Sequence, residues 1–379
     1  MKSIIALSCL LLWLPLAATE IQPLNESDAK TYQLDPTFYQ KTLRTHDILI
    51  ATSERVADYT LRETAYQFDQ IMSRLDAAVA KRIRDAKVLC ILVAHDELTS
   101  DVPQFKSDKT GKELPFYNWR QRGFLTRIDE RITVFFAEED VMEYDGGMQD
   151  ESILIHEFGH VIDFAGLSED QRERVTQAYQ QAMEKKRWHD ARAAQRFRRV
   201  TGDQPVLLLN ALTKSFPDQP AELLKKCLAS GDILVNGKPT HPEVKVTEKD
   251  QVLIVFGGEK ASYAAKNRGE YFAEGVQSWF DTNRTHDHDH NHIHTREQLV
   301  AYDSGLAKIL SDIFDDSDWR FVSPRKRCGC GPLSGYDAFE APNVEDPDFI
   351  RVAALDYYDE YWQPYWKRLH QKHGFDTKP

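Results

Sequence analysis

Residues 151–166 read "ESILIHEFGHVIDFAG", and no other stretch restricts the fold so tightly. His156 and His160 stand four apart with Glu157 beside the first. On an α-helix such residues lie on one face, so both rings can offer a nitrogen to a single ion at about 2.0–2.1 Å. Glu157 is turned partly around the helix but stays beside that ion, where a carboxylate can take a proton from a water. Apolar "ILI" before the motif and "VIDF" after it predict a helix buried on its other face. A catalytic zinc of this kind needs three protein ligands. The fold must therefore return a further residue to this helix from elsewhere in the chain.

One known spacing places a glycine three residues after the second histidine and a third histidine three residues later. Asp163 and Gly166 occupy those positions, so that arrangement is excluded. The other common solution is a glutamate on a later helix. "GEYFAEGVQSWF" supplies Glu270 and Glu274, four apart and on one helical face. One of the two can ligate while the other supports the shell. Asp163, about one turn beyond the second histidine, is placed to hydrogen-bond a ligand histidine and fix its tautomer.

Around these motifs the chain alternates between two periods. Residues 46–52 read as a strand, 53–85 as a long amphipathic helix, 86–95 as a buried strand and 131–139 as another strand, with loop between 96 and 128. A mixed sheet beside a ligand-bearing helix is an α+β layout. Residues 167–199 form a charged, helical region, and 267–283 and 295–314 are further helices. Between them, 205–258 is expected to be a small helix-plus-β insertion. Its Asn236-Gly237 pair is a strong hairpin signal, and 221–256 resembles half of an S4-type RNA-binding module. Residues 321–379 are expected to be a C-terminal extension whose aromatic segment, 355–370, packs against the body.

Composition narrows the partners. Over 379 residues the formal net charge is −12, which argues against nucleic acid or an anionic membrane surface, since both favour excess Lys and Arg. Residues 1–18 combine a basic start, an apolar run and small residues, the pattern of a secretory signal peptide. A soluble, exported chain without a membrane span is expected once it is removed. Cys90 in "KVLCILVA" reads as a buried free thiol; Cys328 and Cys330 can pair with each other, pair elsewhere or bind metal. His286, His288, His290, His292 and His294 alternate with other residues, so in an extended chain their rings share a face and form a loose secondary metal-binding site.

"HEFGHVID" followed by "GEYFAEGV" resembles the catalytic domain of anthrax lethal factor and related gluzincin metallopeptidases, which include the proline-proline endopeptidases. The resemblance covers about residues 130–165 and 262–281. It implies a zincin-like domain over 30–320 and Zn²⁺ bound by His156, His160 and Glu270. It also implies Glu274 as a supporting residue and Tyr263, seven residues before Glu270, facing the substrate. The activity it implies is secreted endopeptidase action on a peptide or protein substrate, with Glu157 as general base. The long insertion, the histidine run and the lack of a toxin-type entry domain depart from the family. The alternative is a non-catalytic metal-binding or interaction protein with a peptidase-like body; an intact Glu157 favours the enzyme, because pure binding needs no base there.

Overall fold

The computed structural model describes residues 20–197, 204–247, 249–285, 289–344 and 362–375. The expected signal peptide, His286, His288 and the first part of the aromatic segment lie outside the described residues. The main body is built on six strands: β1 (Gln22–Pro23), β2 (Lys41–Thr45), β3 (Ile48–Thr52), β4 (Leu89–Val93), β5 (Gly123–Ile128) and β6 (Arg131–Ala137). They form one sheet in the order β1-β2-β3-β4-β6-β5. The β3–β4 and β4–β6 pairs are parallel and the others antiparallel, so the sheet is mixed and the fold is α+β.

The three central strands are mostly apolar because both faces are covered. Ile48 and Ile50, Cys90 and Leu92, and Val134 and Phe136 point into the larger core beneath the helices. Their neighbours Leu49, Ala51, Leu89, Ile91, Val93 and Phe135 point into a smaller core closed by Tyr32, Tyr39, Val102 and Phe105. This is strand alternation with two buried sides. Cys90 is indeed a buried free thiol.

Several local expectations give way to capping and pairing. The single helix over 53–85 is two, Asp58–Met72 and Ala77–Asp85, because the Asp76 carboxylate accepts from the amides of Ala78 (3.0 Å) and Val79 (3.3 Å) and starts a new helix. The helix over 295–314 likewise divides at Asp303, which caps Ser304–Ile313. The presumed loop 96–128 contains a helix, Glu113–Arg120, and the edge strand β5. β5 joins β6 through Asp129 and Glu130, both at positive φ (46° and 64°), a two-residue hairpin without the glycine that usually announces one. Phe124 stacks on its cross-strand partner Phe135, centroids 5.0 Å apart.

Among the described residues of the charged stretch 167–199 the helix covers Glu169–Glu184, and Ala191–Phe197 is a strand paired antiparallel with Val252–Lys260. Helix-favouring "ARAAQRF" is overridden by that pairing. The second unit is thus wider than 205–258. Its core joins Ala193 and Phe197 to Leu224, Cys227, Ile254 and Phe256, and also to Trp362, Trp366 and Leu369 from a helix over 362–372. The expected Asn236-Gly237 hairpin is present, with both residues at positive φ. The C-terminal extension is therefore shared between two cores. Its first part, with Leu333, Tyr336 and Val344, packs on the main body. Cys328 and Cys330 are joined by a disulfide. Among the described residues no helix is long and apolar enough to cross a membrane.

Glu143 links that first part to the main body. It is 6% exposed, accepts from the Ser323 hydroxyl, and burial pushes its carboxyl from an ordinary 4.5 up to about 7. A carboxyl raised on folding stabilises fully below its unfolded value and loses that contribution as pH rises through its folded value. The native chain should lose on the order of 2–3 kcal/mol between pH 4.5 and 7 from this group. Glu143→Gln, which cannot ionise, should show a flatter pH profile in thermal or denaturant unfolding over that window. Parallel profiles for the two proteins would contradict the assignment.

Candidate metal and catalytic site

Ser152 caps the helix that carries the histidines, Ile153–Val161, its hydroxyl accepting from the Ile155 amide at 3.2 Å. Leu154, Ile155, Phe158 and Val161 bury the far face in the main core, as the flanking apolar residues predict. The second helix, Arg268–Trp279, starts at Asn267, whose side chain accepts from the Glu270 amide at 3.0 Å. The two helices pack closely at Gly159. A Cβ there would lie 3.0 Å from the Ala273 Cα and 3.3 Å from its Cβ.

This crossing brings His156, His160 and Glu270 together. One Glu270 oxygen lies 3.1 Å from His156 Nε2 and 3.2 Å from His160 Nε2, and the three donor atoms fall within 4.8 Å of one another. The imidazoles stand nearly perpendicular, 80° apart, with centroids separated by 5.0 Å. Burial would raise the Glu270 carboxyl, but hydrogen bonds from both histidines outweigh it and hold the group well below the usual carboxylate range. Two imidazole nitrogens and one carboxylate oxygen suit a small divalent ion of the zinc type. The side chains of His160 and Glu270 are each 14% exposed, so the cluster borders solvent on one side.

Behind the cluster a buried polar network orients His156. The Gln277 side-chain oxygen lies 2.8 Å from His156 Nδ1, and its amide nitrogen donates to the Ser152 carbonyl at 3.3 Å. That orientation puts a proton on Nδ1, so that Nε2 is the nitrogen His156 could offer to an ion. Glu274 lies 3.4 Å from the same Nδ1 and is 2% exposed. Burial would raise Glu274, but the charges and hydrogen bonds of His290 and His156 hold it down to about 2. Gln277 was missed in the sequence, although Glu270, Glu274 and Gln277 follow the i, i+4, i+7 spacing of one helical face.

Asp163 does not do what its position suggests. It lies beyond the α-helical ladder, in a π turn over Ile162–Gly166, and Arg268 takes both its oxygens at 2.6 and 2.7 Å. It ties the two helices together through Arg268 instead of orienting a histidine.

Glu157 sits beside the cluster and is 9% exposed. Burial raises its carboxyl, opposed by the His156 and His160 charges and by a hydrogen bond from the Leu125 amide of β5. A carboxylate with a raised pKa is a better proton acceptor near neutrality. Tyr263 lies on a short 3₁₀ turn, its ring centroid 6.0 Å from that of His156. Burial and the nearby charges of Glu270 and Glu157 push its phenol upward, so it remains a hydroxyl donor. A cleft of about 610 Å³ runs along β5, lined by Phe105, Tyr117, Arg120, Gln121 and residues 123–126.

The histidine run is not an extended chelating face where it is described. His290 is 9% exposed and lies 3.3 Å from Glu274. The His292 side chain is 57% exposed and near Asp190 at 3.8 Å, and His294 bonds the His292 carbonyl at 3.1 Å. Folding of the segment onto the body sends the rings in different directions. A second donor group, Cys227, Asp232 and His373, also gathers within 4.8 Å, but Lys372 pairs with Asp232 at 2.5 Å and makes this an ion-pair latch for the last helix.

No protein-family model, no curated protein and no solved structure matches the chain.

Gly159→Leu should force the two helices apart, because the obstacle is backbone at Ala273. Overpacking of this kind costs about 1–3 kcal/mol. It should lower the unfolding midpoint and also displace Glu270 from the histidines, which metal titration of the folded variant would read as weakened binding. Unchanged stability and metal binding would show that the crossing is not restrictive.

Proposed function

We propose that the chain is an exported zinc-dependent endopeptidase of zincin-like, gluzincin type. The supporting observation is the convergence of His156, His160 and Glu270 beside a buried Glu157 of raised proton affinity. The resemblance of "HEFGHVID" and "GEYFAEGV" to gluzincin metallopeptidases supports the same reading.

A zinc ion held by His156, His160 and Glu270 would supply Lewis acidity, bringing the pKa of a water toward neutrality and polarising a carbonyl. Glu157 accepts the proton of the attacking water and passes it to the departing amine. The Tyr263 hydroxyl donates to the oxyanion that develops on the scissile carbonyl. Gln277 and Glu274 hold His156 in the tautomer that ligation requires. Among the described residues β5 is an edge strand of the sheet, and beside the cleft that edge would offer backbone groups to an extended peptide, with the Leu125 amide of the same strand bonded to Glu157.

Glu157→Gln should retain zinc and lose hydrolysis of a peptide library, by at least about 10²-fold for a general base. Metal content and turnover are measured on the same preparation, with a chelator control. Retained turnover would remove Glu157 from the mechanism. A native chain that binds zinc but cleaves nothing would favour the non-catalytic alternative. In the same assay Glu270→Ala should bind zinc far more weakly than the native chain. If Glu274→Ala empties the site instead, the ligand is one helical turn further along.

A further inference from the structure

The segment that follows the second site helix folds back onto the rear of the site, and it reaches both halves of it. The carbonyl of Asp289 accepts from the amide of Tyr263 at 2.6 Å, while the Asp289 carboxylate accepts from Lys260 at 2.8 Å. The next residue, His290, points inward. Its Nε2 lies 3.3 Å from Glu274 Oε1, the same oxygen that faces His156 Nδ1 at 3.4 Å. The other Glu274 oxygen accepts from Asn283 at 2.9 Å. Glu274 is therefore a buried carboxylate surrounded by Asn283, His156 and His290.

We propose that His290 is a positioning residue of the candidate metal site, donating from Nε2 to Glu274 so that this buried carboxylate keeps its place against His156. This inference rests on the metal-binding reading given above and extends it to a residue of the histidine run. A carboxylate oxygen only accepts, so the contact requires the proton of His290 on Nε2. With that donor, Glu274 Oε1 is held between two imidazoles. Without it, the oxygen turns toward whatever donor or water it can reach, and His156 loses part of the support that sets its ring angle. Groups that orient a metal-ligating histidine typically change metal affinity about 10–100-fold when removed. The backbone contact from Asp289 to Tyr263 makes the segment a clamp: it sets the turn that presents Tyr263 with one residue and the carboxylate behind His156 with the next. His290 thereby separates from its exposed neighbour His292, which makes no such contact with the site.

The test is zinc affinity of the apo full-length chain, by competition with a chromophoric chelator, alongside thermal unfolding. His290→Leu should weaken zinc about 10–100-fold. His290→Gln, whose terminal amide can still reach Glu274 as a donor, should stay within about threefold of native by the same support. His290→Asn is too short and should fall with the leucine variant. If His290→Leu fails to fold, the Gln and Asn variants carry the comparison, since both are polar and differ only in reach. His292→Ser, an exposed member of the same run, should bind zinc like the native chain. Native affinity in the Leu or Asn variants, or equal losses in Gln and Asn, overturns the proposal. His156→Ala supplies the baseline. If the native chain shows no zinc binding above that baseline, the metal-site reading fails and takes this inference with it. If native zinc binding depends on His156 but is indifferent to residue 290, only this inference fails.

Discussion

The site depends on the close approach of two helices at Gly159 and Ala273. Each helix has its own start signal, Ser152 for one and Asn267 for the other. Neither alone holds the three donors of the cluster. Contact between Gly159 and the Ala273 backbone lets Glu270 reach the face that carries His156 and His160. Any side chain at 159 must push on backbone, which cannot move aside as a flexible side chain can. The geometry of the His156, His160 and Glu270 cluster is therefore a consequence of packing, and the packing is set by a missing side chain.

The polar network behind the histidines is the cost of placing charged groups in that interface. Glu274, Glu151 and Gln277 are each almost fully buried. They are tolerated because each has a partner: His290 and Asn283 for Glu274, Arg284 at 2.7 Å for Glu151, and the Ser152 carbonyl for Gln277. Buried charges without such partners would shift protonation state or break the packing. The same network orients His156, so the stability of the interface and the geometry of the candidate site share one set of hydrogen bonds. Asp163 and Arg268 do related work at the other end of the crossing, where a bidentate ion pair locks one helix to the next.

Much of the site was legible because helical periodicity is a strong local signal. The four-residue spacing put His156 and His160 on one face and Glu270 and Glu274 on another, and a helix under those residues preserves both relations. Gln277 follows the same rule three residues further on, and only its chemistry, a neutral amide, kept it from notice. Tyr263 was suggested by resemblance alone; the structure puts its ring beside His156, on a turn whose amide is held by the Asp289 carbonyl. Asp163 was misread because helix continuation was assumed past Val161, and the chain there widens into a π turn. Over His290–His294 the alternation of the histidine run does not produce one shared face, because His290 is buried against Glu274, which needs a donor.

By itself the sequence determined the elements whose signals are local: the apolar central strands, the histidine helix, the Asn236-Gly237 hairpin and the α+β class. It also determined which side chains share a helical face, since 3.6 residues per turn leaves no freedom in that. Tertiary structure decided everything that joins distant segments. It chose β5 as the edge strand beside Glu157, turned "ARAAQRF" into a strand by pairing it with Val252–Lys260, and divided the C-terminal region between two cores. It also brought His290 behind Glu274. The reason is physical: a period is written in neighbouring residues, whereas the partner of a strand edge or of a buried carboxylate depends on which surface the rest of the chain leaves open.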